Sequence, residues 1–263
     1  MPHPIVIQHL QPVSKIGTLA ALRIVSLVPS QTELLYDLGL TDAVVGITKF
    51  CVHPQHWRAE KTIVGGTKNI HIDRIQALAP SLIIANKEEN TEAIVAACSH
   101  IAPVWVSDIS SLNDALDMIT SIGALTNTVA KATQIADTIA YNFNMLSLPT
   151  RHYKTAYFIW RKPYMAAGGD TFINAMLSAA GLKNAFAHMP RYPEVTLEHL
   201  AVNEVDLILL SSEPYPFKAT HVAELQAALP NAIIKLVDGE MFSWYGSRLL
   251  QTPAYLQRLL TAL

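Results

Sequence analysis

Apolar residues along this chain come in short runs separated by polar, proline- and glycine-bearing stretches. RIVSLV (23–28) reads as a buried strand that stops at Pro29-Ser30, and Thr32 opens TELLYDLGL, an apolar-periodic helix with Gly39 as its stop. AVVGIT (43–48) is the next strand, FCVHPQHW a loop, EENTEAIVAACSHI a helix and PVWVS a strand. From Ser111 to Leu148 the pattern is helical almost throughout. Residues 126–148 place Val129, Ile135, Ile139, Phe143 and Leu146 near helical spacing, and would extend about 35 Å before Pro149. The alternation then restarts with a strand, KTAYFIW (154–160), and a turn and helix over 168–182 that stops at Gly181. NAIIKLVD (231–238) is a further strand and PAYLQRLLTAL a closing helix. Strands alternating with helices imply parallel pairing, because a βαβ crossover needs the intervening helix.

One unit occurs twice. NIHIDRIQALAPSLIIA (69–85) aligns with EVTLEHLAVNEVDLILL (194–210) at a constant offset of 125 positions, so Asp73 faces Glu198, Ile75 faces Leu200 and Leu82-Ile83-Ile84 face Leu207-Ile208-Leu209. Each copy reads as a short helix with a carboxylate in its first turn, followed by an apolar strand. Gly39 and Gly181 correspond at an offset of 142, so the halves share element order with length changes between units. The expected architecture is α/β: two lobes with parallel central sheets joined by one long helix. Residues 1–22 would be an N-terminal extension, 23–125 the first lobe, 126–148 the linking helix and 149–263 the second lobe.

Bulk properties narrow the function. With 51% hydrophobic and 15% charged residues the chain can bury sizeable cores. A net charge of −2 without a basic run argues against a nucleic-acid partner. Apolar runs are strand-sized, short of the roughly 20 residues a membrane helix needs. Two cysteines, Cys51 and Cys98, do not make a disulfide framework. IGTLAAL after Lys15 runs into Arg23 after seven residues, too short for a secretory signal core, which leaves a cytoplasmic location open. The chain is expected to act as a monomer.

Candidate chemistry concentrates in loops. In KFCVHP (49–54), Cys51 and His53 are one residue apart, with His56 and His71 nearby. A thiolate with an imidazole suits a metal or a metal-bearing ligand, but the pair alone does not close a metal site; a structural loop cysteine, a ligand contact and metal ligation all remain open. Tyr164, Tyr192, Trp244 and Tyr245 stand beside Pro or Gly and off core periodicity, as rigid contact surfaces for a flat ligand or as caps on lobe ends. Arg161 and Arg248 could pair with an acidic ligand group. Glu88 and Glu89 follow a strand. Gly168-Gly169 suits a tight turn, and no P-loop, G-x-G-x-x-G, G-x-S-x-G or H-E-x-x-H motif occurs. Asp73 and Glu198, each in a first helical turn, would complement the helix dipole whatever else they do.

RIVSLVPSQTELLYDLGL, VVGITKF, IDRIQALAPSLIIA, GGDTFINAMLSAAGLKNAF and LEHLAVNEVDLILL, in this order over about residues 23–263, resemble the class III periplasmic-binding-protein-like receptors with a helical backbone. These serve uptake of cobalamin, iron-siderophores and haem, with the cobalamin-binding members closest. The resemblance implies a non-enzymatic substrate-binding protein of an ABC transporter, periplasmic and without intrinsic cofactor. It implies a corrinoid or metal chelate held in a cleft between lobes, beside the loops at Pro29, Ser30 and Gln31, at Phe50 to Pro54 and at Arg161 to Gly169. Phe50, His53 and Tyr192 match cleft positions of the cobalamin-binding members, whereas Thr67 stands where they carry an aromatic. Asp73 and Glu198 match the acidic pair that docks on permease arginines. The alternative is a cytoplasmic metal- or corrinoid-binding chaperone or enzyme using Cys51 and His53.

Overall fold

The computed structural model describes residues 2–16 and 21–263, so most of the IGTLAAL stretch lies outside the described residues. The chain divides into two units, one of residues 1–109, 113–140 and 245–248, the other of 110–112, 141–244 and 249–263.

In the first unit, strands β1 (Ile5–Ile7), β2 (Ile24–Ser26), β3 (Val44–Ile47), β4 (Thr62–Ile63), β5 (Leu82–Asn86) and β6 (Val104–Ser107) alternate with helices α1 (Pro29–Asp37), α2 (Trp57–Glu60), α3 (Ile72–Ala77) and α4 (Glu92–Ser99). They form one sheet in the order β1-β6-β5-β2-β3-β4, parallel at every pairing. Val25, Leu27, Ile83, Ala85, Val104 and Val106 build its core with Ile75 from α3 and Val95 and Cys98 from α4. Residues 5–7 are therefore not part of an extension. They add an edge strand, Ile5 to Val104 and Ile7 to Val106. Three apolar residues between Pro4 and Gln8 carry no period that would mark them as a strand.

Helices α5 (Leu112–Leu125) and α6 (Val129–Asn144) follow. The single helix expected over 126–148 is thus confined to 129–144. Asn127, at φ 57°, takes the left-handed conformation that ends one ladder before the next begins. Ala132, Ile135, Ala136, Ile139 and Phe143 form the buried stripe of α6, while Val129 faces out. A Cβ added at Gly123 of α5 would come 2.3 Å from the Ala132 Cβ, so the two helices touch through small residues.

The second unit contains β7 (Lys154–Trp160), β8 (Tyr164–Ala166), α7 (Phe172–Ala179), β9 (Lys183–Asn184), β10 (Glu194–Val195), α8 (Leu197–Val202), β11 (Leu207–Ser211), α9 (Ala219–Ala228), β12 (Ile233–Val237), α10 (Glu240–Ser243) and α11 (Thr252–Thr261). The sheet order is β10-β8-β7-β11-β12, with β9 also on β7. Its centre, β7-β11-β12, is parallel. The β7–β8 hairpin and the β8–β10 pair are antiparallel, an addition to the all-parallel expectation made possible by the tight turn at residues 161–163.

The repeated unit is reproduced in space. α3 and α8 have six residues each, β5 and β11 five each, all at the 125-position offset, and every residue of both strands is buried. Even the helix exits match: Ala79 (φ 43°) and Glu204 (φ 50°) both lie in the left-handed region. An L-residue pays roughly 1–2 kcal/mol there. Part of that returns as unfolded-chain entropy when glycine replaces it. Ala79→Gly and Glu204→Gly should each raise stability by about 0.5–1 kcal/mol, read as a higher urea midpoint at unchanged m-value. Loss of stability in both would mean that these turns are not strained.

Candidate functional site

In open α/β sheets ligands sit outside the carboxyl ends of strands, where the strand order reverses and neighbouring loops diverge. In the first unit that point lies between β2 and β5. Its floor is a buried polar network. Gln31 Nε2 donates to Ser107 Oγ, and Asn86 Nδ2 donates to the same hydroxyl at 2.9 Å. Thr32 Oγ1 donates to Ser26 Oγ at 2.8 Å and lies 3.0 Å from the Cys51 sulfur, which is also 3.3 Å from Thr48 Oγ1. Cys51 is fully buried, and burial pushes its thiol up despite these hydroxyls. Cys98 is likewise buried, its thiol pushed up to about 12.

This corrects the metal reading of Cys51 and His53. A protonated, fully enclosed thiol bonded to two threonines is a structural group. Among the described residues no group of three or more His, Cys, Asp or Glu side chains is placed to hold a metal ion. His53 is half-buried, near enough to Glu33 to oppose the rise that burial imposes on its carboxyl. Phe50, by contrast, is 49% exposed, with the Lys49 ammonium 5.1 Å from its ring centroid and Gly66 beneath it. Thr67 is buried, its carbonyl accepting from Asn90 Nδ2 at 3.0 Å. Glu89 is half-buried, and desolvation holds its carboxyl above the usual range despite Lys68 and a hydrogen bond to Thr67.

Pro29 and Ser30, expected to line a loop, form the buried first turn of α1. Arg248 and Tyr245, assigned from the sequence to the second lobe, belong to the first unit. Arg248 is 8% exposed and pairs side-on with Glu33 of α1, Nε to Oε2 at 3.0 Å and an η nitrogen to Oε1 at 2.6 Å. Ser247 donates to Asp37, and a Cβ on Gly246 would fall 2.3 Å from the Ser30 carbonyl oxygen. The segment 245–248 is thereby laid along α1, and Arg248 serves the fold at this position.

In the second unit the switch point lies between β7 and β11. Just beyond β11, Glu213 Oε1 accepts from Ser243 Oγ at 2.9 Å and from the Trp244 indole at 3.0 Å. Burial holds the Glu213 carboxyl above the usual range against those two hydrogen bonds, and Glu240 and Asp238 add to the rise. Trp244 and Tyr245 are each 7% exposed, so neither is an open ring wall. Tyr164 is half-buried, stacked on Phe158 at 5.1 Å, with its hydroxyl 3.3 Å from Glu224. Arg161 holds the same carboxylate at 2.8 and 2.5 Å. Tyr192 is half-buried under the Arg191 guanidinium. Its loop is set by backbone contacts to the paired glycines, Gly168 N to Arg191 O at 2.7 Å and Gly169 N to Met189 O at 2.8 Å.

Asp73 and Glu198 are both exposed, each in the first turn of its helix. α8 carries a full cap, with Thr196 Oγ1 accepting from His199 N and His199 Nδ1 from Thr196 N. No helix among the described residues is long and apolar enough to cross a membrane.

Residues 24–230 match the model of the family described as periplasmic binding protein. The chain belongs to that family. Members are solute-binding proteins rather than enzymes, and what they carry is a transported ligand, not a resident cofactor. Over 199 residues it is 28% identical to an ABC transporter substrate-binding lipoprotein of Bacillus subtilis (strain 168), YvrC, covering 71% of this chain and 62% of that one. The chain thus spans less than two thirds of that relative. A vitamin B12-binding protein of Yersinia pestis (strain Pestoides F) is 26% identical over 201 residues, 73% of this chain and 70% of the relative. Among solved structures, the periplasmic haem-binding protein HutB of Vibrio cholerae superposes with a TM-score of 0.78 at 22% identity, covering 91% of this chain and 98% of that one. The vitamin B12-binding protein BtuF of Vibrio cholerae gives 0.74 at 20% identity, covering 92% and 97%. These likenesses establish the class III periplasmic-binding-protein fold for this member.

Proposed function

We propose that the chain is the substrate-binding protein of an ABC transporter, working outside the cytoplasmic membrane as a monomer, and that it takes a corrinoid or metal chelate at the carboxyl ends of its sheets. The observation that carries this reading is the repeated unit: each copy offers one exposed carboxylate, Asp73 or Glu198, at the same place on the same helix. Helix-dipole complementarity would explain each singly, worth about 0.3–1 kcal/mol, but not their recurrence at equivalent surface positions. A partner built from two equivalent halves would use both, gaining docking register and encounter rate. The vitamin B12-binding and substrate-binding relatives favour the same reading. The cytoplasmic chaperone alternative loses its chemical basis with the enclosed Cys51 thiol.

Two measurements test it. Titration with cyanocobalamin, haemin and a ferric trihydroxamate, followed by calorimetry, should give saturable binding of one of them; binding of none would reject the ligand class. Asp73→Lys with Glu198→Lys should then leave that binding intact and abolish stimulation of the cognate permease's ATPase in proteoliposomes. Undiminished stimulation would reject the docking role.

A further inference from the structure

α8 and α3 are copies of one unit, yet they present different faces to solvent. At about 100° per residue, Ala201 and Val202 fall about 60° and 40° to either side of Glu198, with Leu200 opposite, in the core. Glu198 is therefore the middle of an exposed arc with apolar flanks, and Leu197, 40% exposed, continues it at the edge. Val202 is 74% exposed, more than any other large apolar side chain among the described residues. On α3 the same places are filled differently. Asp73 is flanked by Gln76 and Ala77, and Ile72 is half-buried. The next residue, Arg74, is an exposed guanidinium that donates to the Ile63 carbonyl at 2.8 Å.

Local folding does not account for the apolar flank of α8. Alanine, lysine and glutamate form helix better than valine, whose branched Cβ loses rotamer freedom there. The helix is already secured by Leu200 beneath it and by the reciprocal Thr196–His199 cap at its start. That cap also engages the His199 imidazole, so Glu198 is the charge this arc presents. One exposed apolar side chain is ordinary. Leu197, Ala201 and Val202 together, set around the carboxylate, form a patch. An ion pair closed off by apolar groups loses its competing water and strengthens as the local dielectric falls. One left wet beside a second cation is screened and acts chiefly on encounter.

We infer that the two copies dock unequally. α8 is the anchor: Leu197, Ala201 and Val202 seat in an apolar recess of the permease that surrounds the cation paired with Glu198. α3 is the guide: Asp73, with Arg74 beside it and Gln76 on its flank, makes a hydrated contact that steers approach. The partner surface that fits is an arginine or lysine set in an apolar recess on the outer face of a membrane permease. The inference rests on the proposed substrate-binding function and deepens it, assigning residence on the partner to one unit and encounter to the other.

The experiment immobilises the cognate permease in nanodiscs and follows association and dissociation of purified variants at low and high salt. Val202→Ala should raise the dissociation rate about fivefold at both salt concentrations and leave the association rate as it is. It should not lower the thermal midpoint, since alanine is the better helix former, which separates lost docking from lost folding. Glu198→Gln should raise the dissociation rate by about tenfold or more. Asp73→Asn should slow association about threefold at low salt, and the difference should fade at high salt. Ala77→Ser, a change of the matching residue on α3, should alter neither rate. If Val202→Ala dissociates like wild type while Glu198→Gln does not, this inference falls and the docking role stands. Equal losses from Val202→Ala and Ala77→Ser would also overturn the inequality. Wild-type kinetics in both Glu198→Gln and Asp73→Asn would reject the docking reading and this inference with it.

Discussion

Glu33→Leu should destabilise the protein by about 3–5 kcal/mol, because it leaves the buried Arg248 guanidinium without its counter-charge. The two side chains are only 12% and 10% exposed, and the guanidinium cannot shed its proton. Arg248→Met should cost less. The Glu33 carboxyl already sits above its usual range, since desolvation outweighs the attraction of Arg248, helped by His53 and opposed by Asp37. Without Arg248 it can take up a proton and become neutral. The pH dependence follows from the sign. A carboxyl raised in the folded state binds more protons there than in the unfolded chain, so its contribution is complete below the unfolded value of 4.5 and is lost as pH rises through the folded one. The cost of Arg248→Met should therefore shrink from pH 7 toward pH 4.5, whereas that of Glu33→Leu should not. The double variant should recover most of the loss, because an apolar pair of similar volume avoids the desolvation of both charges. Urea denaturation of the four proteins at pH 7 and pH 4.5 gives the whole cycle. Additive single losses would show that the pair is not coupled.

The second large effect belongs to the paired glycines. A Cβ on Gly169 would lie 2.0 Å from the Ala187 carbonyl oxygen, and one on Gly168 2.3 Å from that of Met189. Both obstacles are backbone, which cannot rotate aside as a side chain can. Gly169→Ala is therefore expected to cost about 3 kcal/mol, at the upper end of overpacking penalties. The damage should be local as well. The 187–192 loop, held to these glycines by the amides of Gly168 and Gly169, carries Tyr192, so its displacement should open the loop to proteolysis before global unfolding. Wild-type stability and an intact loop in Gly169→Ala would mean that the two backbones are not apposed as described.

Much of the fold is legible in the one-dimensional pattern because the pattern is the cause. Four-residue apolar runs such as Leu82-Ile83-Ile84-Ala85 and Leu207-Ile208-Leu209-Leu210 are buried on both faces by flanking helices, so each run reads directly as a central parallel strand. The 125-position repeat, with its matched helices and strands, was likewise visible in residue types alone, down to the carboxylates at Asp73 and Glu198. Strand β1 was not legible. Ile5–Ile7 is held by the neighbouring edge of β6, and an edge supplies hydrogen bonds without demanding any sequence period.

The candidate site divides along the same line. Loop position marked Tyr164 and Tyr192, and the family resemblance marked Phe50; the tertiary structure leaves these three rings partly or fully open. Residue type and loop position also marked Cys51, Trp244, Tyr245 and Arg248, all of which the tertiary structure encloses. Residue type states what a side chain can do, not whether it faces water. That is settled by contacts between residues far apart in the chain, such as Arg248 with Glu33 or Trp244 with Glu213. The sequence by itself determined the element order, the duplicated unit and the family. Only the tertiary structure decided which charges and rings remain at the carboxyl ends, because burial depends on long-range packing that no local pattern records.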